Sequence, residues 1–379
     1  MNITYLSDTE TDFAYLEKYL DSGSFGQLND EYRVKMENEL LAYIKYIENF
    51  CKNSPMSKEE SNELISTLYK DKLTLPTRYE SITQYNILKE LIKKIKKSIK
   101  DSNMEFKYFP YWTTIPTGEV NACAIKLPEV KKEFLLFDSQ LFLFCHLFSK
   151  AFSICLPITK KEEDVFLSVE IKEVNKHLNK NKNNCIDKII DILENYTINN
   201  HPGRAKQYFA PKEYENYIRI ILNSMELLIV GHEFGHFNCG HLDENAMLAM
   251  TNAEKKGLIS KNHFEEYQAD LIGCILTYQS IINEGYDSAL SFIGIDLFFS
   301  SMILSLRYES FRSGVEDKYF KEEESDSHPT FAKRRQSLRL LIREIDGFKE
   351  NIESIEHLYT AYDDIIESIW KNIEINLNR

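Results

Sequence analysis

The stretch GHEFGHFNCGH, residues 231–241, gathers His232, Glu233, His236 and His241 into eleven positions of a chain that holds nine histidines. Residues four apart on a helix share a face, so His232 and His236 can direct ring nitrogens at one point. Zinc is the metal that most often takes such a pair. Glu233 lies between them on a neighbouring direction, placed to take a proton from zinc-bound water without binding the metal itself. The apolar run MELLIV, residues 225–230, supplies a helix buried enough to hold the rings still. Two histidines need a third ligand. The long-spaced pattern, with Gly three and His six residues after the second ligand, fails because Cys239 and Leu242 stand there. His241 is one residue short of that register.

Thirty residues beyond His236, the segment EEYQADLIGCIL carries Glu266 and Asp270, again one helical turn apart. On a second helix packed beside the first, Glu266 can supply an oxygen ligand. Asp270 can accept a hydrogen bond from the far nitrogen of a zinc-bound imidazole. Two imidazoles and one carboxylate leave a fourth position open, which is the catalytic rather than the structural arrangement, with one zinc per chain. Cys239, near the ligands, reads as a small packed apolar group, and His263 as a surface or capping residue.

HEFGH followed by EYQAD resembles the gluzincin metallopeptidases, of which thermolysin is the familiar example. Within that class the motifs are similar to those of the HtpX and CAAX prenyl protease family. That family shows a His five residues after the second ligand, matched by His241. It has an Asn-Ala-x-Ala strand upstream, matched by NACA at 121–124, and a late His-Pro-x-x-x-x-Arg segment, matched by HPTFAKR at 328–334. The pieces keep the family's order across roughly residues 120–340. The chain departs from it in lacking convincing membrane spans and in carrying a long insertion between the strands and the zinc helix. A weaker resemblance is to the Lit-type phage-exclusion peptidases, which cut a host translation factor.

These resemblances imply His232, His236 and Glu266 as ligands and Glu233 as general base, with Asp270 and His241 behind the ligands. His328 and Arg334 would stabilise the oxyanion of the tetrahedral intermediate. Asn121, Ala122, Cys123 and Ala124 would form an edge strand on which an extended peptide adds. The implied activity is a soluble zinc endopeptidase acting on a restricted protein substrate, regulated or of the phage-defence type. Two other classes compete: a zinc-dependent binding or regulatory module without peptidase activity, and a zinc amidohydrolase acting on a small substrate.

The elements that must position these residues read as mainly α with a small β-sheet, an α+β chain. A zincin-like unit holds the two motif helices, after an extra helical N-terminal region. Residues 1–104 form that region, helical throughout from about 30 to 100. SKEE at 57–60 is a capping-box start, and Leu88, Leu91, Ile92, Ile95 and Ile99 share one face of a lysine-rich helix. Residues 105–345 form the peptidase unit, with two neighbouring strands at Ala122–Leu127 and Phe134–Phe137 and an insertion at about 159–215. Helices dominate from 139 onward, broken by NKNKNN at 179–184 and the loop at 199–212. A C-terminal helix occupies 346–379.

The net charge of −13, from 46 basic and 59 acidic side chains, disfavours nucleic acid and anionic lipid as partners. A regulatory partner on the N-terminal helices remains open. Seven scattered cysteines without a CxxC pair read as reduced thiols, and the acidic start lacks a signal peptide's pattern, which together imply a cytoplasmic location. Residues 134–158 and 289–306 approach membrane length but contain Asp138, His146, Lys150 and Asp296, so both read as buried core helices.

Overall fold

The computed structural model describes residues 3–24, 57–59, 73–106, 108–117, 120–161, 164–242, 261–286, 288–314, 328–349 and 352–378, with single helical positions between 34 and 62. The fold is mainly helical with small sheets, an α+β arrangement. It divides into two compact units that interleave in sequence: residues 1–90 with 108–139, and residues 91–107 with 140–379. The sequence boundary at 104/105 falls inside the second unit.

In the first unit, β1 (Ile3–Tyr5) pairs in parallel with β2 (Leu73–Leu75), and α1 spans Thr11–Tyr19. The expectation of helix throughout 30–100 is therefore corrected at β2; much of the remainder, including part of the SKEE segment, lies outside the described residues. A second sheet has the order β3 (Tyr111–Ile115), β5 (Phe134–Asp138), β4 (Ala122–Ile125), with β5 parallel to β3 and antiparallel to β4. All five residues of β5 are buried, which is why Phe134–Phe137 is an unbroken apolar run rather than an alternating one. Phe13, Leu16, Tyr79, Phe134 and Leu136 form the core beneath it. The buried carboxyl of Glu80 accepts hydrogen bonds from the Thr113 and Thr114 hydroxyls and the Thr114 N–H, tying β3 to the preceding turn. Burial pushes that carboxyl up to about 8.

Helix α2 (Ile82–Asp101) enters the second unit at Leu91. There follow α3 (Ser139–Ser153), the hairpin β6 (Ile158–Lys161) and β7 (Asp164–Leu167), and α4 (Ile171–Thr197). So 134–158 is a strand followed by a helix rather than one core helix, and the insertion opens with a hairpin that was not expected. NKNKNN interrupts the helix as expected, since α4 is two helical stretches joined across a kink. The single departure is Asn181 at φ −114° and ψ 22°, whose amide donates to the His177 carbonyl at 3.1 Å and so competes with the helix's own ladder.

The remaining helices are α5 (Glu215–Asn238), α6 (Lys261–Asn283), α7 (Ser288–Ser313), α8 (Phe331–Leu341), the one-turn α9 (Asp346–Lys349) and α10 (Ile352–Leu377). By length and composition Ser291–Ser313 could cross a membrane, but 78% of its apolar window is buried inside the protein. Phe292, Ile295 and Phe299 of α7 join Leu228 of α5, Leu338 of α8 and Ile355 of α10 in one core.

Helix α5 packs on both α6 and α7. At the centre of its contact with α6 lies a seam where the backbones approach at glycine and alanine. A Cβ added at Gly235 would stand 2.7 Å from the Ala269 Cα, and one at Gly231 would stand 2.9 Å from the Gly273 Cα. From the other side, a Cβ at Gly273 would meet the His232 nitrogen at 2.8 Å. Only residues this small let the two backbones touch.

Two measurements follow. Gly235→Ala should gain ~1 kcal/mol of helix propensity but lose more from overpacking against backbone, which typically costs ~1–3 kcal/mol. The expected net result is a lower melting temperature, and a higher one would refute the seam as a constraint. The second concerns Glu226 of α5, where burial pushes the carboxyl up to about 8 despite the nearby Lys94. A carboxyl raised in the folded state stabilises fully below its ordinary pKa and loses that contribution as pH rises toward 8. Glu226→Gln should therefore flatten a stability decline on the order of a few kcal/mol between about pH 4.5 and 8. An equal pH dependence of the unfolding free energy in the two proteins, measured by urea titration at each pH, would show that Glu226 ionises freely.

Candidate metal centre

The seam fixes which turns of α5 and α6 face each other. His232 and His236 sit one turn apart on α5, and Glu266 and Asp270 one turn apart on α6, on either side of the Gly235–Ala269 contact. The two Nε2 atoms lie 3.0 Å apart. Glu266 Oε1 is 3.3 Å from His236 Nε2, and Oε2 is 3.6 Å from His232 Nε2. Tetrahedral bonds of ~2.0–2.1 Å place ligand atoms ~3.3–3.4 Å apart, so this triangle has the dimensions of one face of a zinc site. His232, His236 and Glu266 are the group suited to a metal among the described residues.

Each imidazole is held from behind. His232 Nδ1 lies 2.9 Å from Asp270 Oδ1, so a proton on Nδ1 leaves the Nε2 lone pair facing the triangle. His236 Nδ1 lies 2.9 Å from His241 Nδ1, and His241 Nε2 lies 3.2 Å from Gln268 Oε1. Gln268 can only accept at that oxygen, so His241 Nε2 donates and its Nδ1 accepts from His236. Burial, with His236 close by, pulls His241 down to about 4, which keeps it neutral and able to accept. The position of His241 follows from how α5 ends. Gly240, at φ 70°, turns the chain back after Cys239. The Gly240 N–H then bonds to the Phe237 carbonyl and the His241 N–H to the His236 carbonyl, a Schellman motif.

Arg334, on the first turns of α8, closes the cluster. Its Nε and Nη2 donate to the two oxygens of Asp270 at 2.9 and 2.6 Å, and its Nη1 stands 2.9 Å from Glu266 Oε2. Burial raises both carboxyl pKa values, but Arg334 and the histidines overcome it and hold Glu266 and Asp270 well below the usual range. Glu233, 5% exposed, differs: burial dominates and its carboxyl is raised despite His232, His236 and Arg334. Glu266 and Asp270, both held ionised, thus share the one guanidinium of Arg334, and the negative charge left over is one that a divalent cation would offset. The buried Glu266 Oε2 accepts no well-directed hydrogen bond even with Arg334 nearby, as suits an oxygen reserved for a metal. The donor set fits zinc.

The structure brings His232, Glu233, His236, His241, Glu266, Asp270 and Arg334 together. His328 is 62% exposed at its side chain, with Nε2 3.5 Å from Glu266 Oε1. Arg334 does not stand free toward an oxyanion, as the motif resemblance implied; its donors are engaged by carboxylates. Asn121, Ala122, Cys123 and Ala124 belong to the first unit, where β4 is an edge strand, while the ligand group belongs to the second. Cys239 is exposed at the end of α5 rather than packed, and His263 is buried rather than on the surface. Gln268 escaped the sequence reading because nothing in EEYQAD distinguishes its amide until α5 ends beside it.

Comparison with protein-family models, curated proteins and solved structures gave no match.

Metal analysis should find about one zinc per chain, with marked loss in Glu266→Ala. Asp270→Ala should weaken zinc affinity ~10–100-fold in a chelator competition, because His232 loses its partner. Unchanged affinity in Asp270→Ala would separate it from the metal centre.

Proposed function

We propose that the chain is a zinc-dependent endopeptidase of the gluzincin type, related to the HtpX and CAAX prenyl protease group through the order of its motifs. The observation that carries the reading is the triangle of two imidazole nitrogens and one carboxylate at zinc spacing, with the buried carboxyl of Glu233 on the next direction of the same helix. Bound zinc supplies Lewis acidity, lowering the pKa of water and polarising a peptide carbonyl. The chain's residues do the rest. Glu233 accepts a proton from the attacking water and returns it to the leaving amine, and the burial that raises its carboxyl pKa makes it a stronger base for that exchange. Asp270 and His241 fix the two rings, and Arg334 fixes Glu266 and Asp270. His328, exposed with Nε2 3.5 Å from Glu266 Oε1, lies beside the ligand group as a donor to a developing oxyanion. The zinc, the narrow choice of substrate and a cytoplasmic setting are part of this proposal.

The test separates chemistry from metal binding. Glu233→Gln should retain zinc and fold but lose turnover by about 100- to 10,000-fold, since an amide cannot take the proton. Cells expressing the wild type should contain new protein termini that cells expressing Glu233→Gln lack. Identical termini in the two, with equal zinc content, would leave a binding module and remove the peptidase.

A further inference from the structure

Away from the metal centre, the connection between α4 and α5 joins an unshielded aromatic ring to a run of cations. Phe209 is 102% exposed, the most open large apolar side chain among the described residues, and Ile198 in the same connection is 50% exposed. From Asn195 to Lys212 the chain holds Arg204, Lys206 and Lys212 and no carboxylate, in a protein of net charge −13. All three cations are exposed. The segment that carries them is firmly held. Lys150 of α3, 7% exposed, donates its ammonium to the Tyr208 carbonyl at 2.9 Å and stands 4.6 Å from the centre of the Tyr208 ring. Lys188 of α4 stands 4.6 Å from the centre of the same ring. Upstream, the Lys206 N–H donates to Asp191 of α4 at 2.6 Å, and Pro202 and Ala205 are buried. Downstream, the Tyr214 hydroxyl donates to the Leu156 carbonyl at 2.9 Å, just beyond α3. The main chain on both sides of Phe209 is therefore pinned to the protein, while the ring between the pins stands in solvent.

We propose that Phe209 is a membrane-docking finger, whose ring enters the interfacial layer of an anionic bilayer while Arg204, Lys206 and Lys212 meet the headgroups. A protruding apolar ring flanked by cations is the combination that such an interface holds, the ring by burial at the acyl boundary and the cations by the negative surface potential. A protein partner would need a pocket shaped to this one ring, whereas a fluid bilayer closes around any projecting apolar group. The net charge of the whole chain does not oppose this. At physiological ionic strength charges more than about 8 Å from the lipid surface are largely screened, so the cations beside the ring outweigh the distant acidic excess. Because Tyr208 is already held by Lys150, docking orders little that was free, which favours binding by so small a contact. The finger precedes the start of α5, and His232 lies ~25 Å further along that helix at ~1.5 Å per residue, so this surface is separate from the metal centre.

The test is sedimentation of the full-length protein with vesicles of phosphatidylcholine alone and of phosphatidylcholine mixed with phosphatidylserine. Wild type should pellet with the mixed vesicles at low salt, stay in solution with phosphatidylcholine alone, and be released as salt is raised. Phe209→Ala should weaken binding ~10-fold and leave the melting temperature unchanged, since no described residue shields the ring. Lys206→Gln combined with Lys212→Gln should weaken it ~10-fold and flatten the salt dependence. Phe209→Trp should show an emission shift to the blue on adding mixed vesicles, quenched by lipids brominated on their acyl chains, beyond the response of wild type with Trp112 and Trp370 alone. Wild type that stays in solution with mixed vesicles at low salt would overturn the proposal, and a Phe209-dependent dimer in light scattering would then assign the ring to a second copy of the chain. Pelleting retained in full by Phe209→Ala, or an unshifted emission from pelleted Phe209→Trp, would place the lipid contact on another surface and overturn the finger.

Discussion

The backbone contact between α5 and α6 is the constraint on which the candidate metal centre depends. At Gly231, Gly235, Ala269 and Gly273 no side chain keeps the helices apart, and a single added methyl would stand under 3 Å from main-chain atoms. Short side chains then suffice to cross the remaining gap. A carboxylate reaches two imidazoles, and a second carboxylate reaches the back of one of them, at 2.9–3.6 Å. Wider helix spacing would part these groups, and a slip of one helix along the other would mismatch the turns. Close packing makes the arrangement stiff, because a packed interface shifts between discrete states rather than by gradual drift.

Such a cluster sets a second requirement, since carboxylates are costly to bury without compensation. Arg334 supplies it with a planar fork suited to two-point contact. The same helix carries Arg335 and Arg339, which pair with Asp296 of α7 and Asp363 of α10. Helix α8 is therefore held by ion pairs from one set of arginines while another neutralises the metal-facing carboxylates. Carboxyl groups only a few ångströms apart acquire opposite tendencies: Glu266 and Asp270 are kept ionised, and Glu233 is pushed toward its protonated form. Ligand and base functions need that division.

Helix termination contributes as much as helix packing. Gly240 ends α5 with a reversal that hydrogen-bonds His241 back to His236 along the main chain and brings the two rings together. A bend at Asn181 does something comparable on α4, where an amide that leaves the helical pattern orients His177.

The sequence by itself determined that His232, Glu233 and His236 share neighbouring directions of one helix, because that depends only on helical period. It also determined the spacing of Glu266 and Asp270, the predominance of helix, and the neighbouring strands β4 and β5. Those features are local: a turn of helix or an apolar run suffices to specify them. What the tertiary structure decided is everything that requires two segments to meet. Glu266 became a neighbour of His232 because glycines far apart in the chain allow the helices to touch. That Arg334 lies near the site follows from the motif order, but its engagement by Asp270, 64 residues away on another helix, does not. Gln268 had no signature at all. β3 and the β6–β7 hairpin were missed because short strands gain their stability from partners rather than from their own residues.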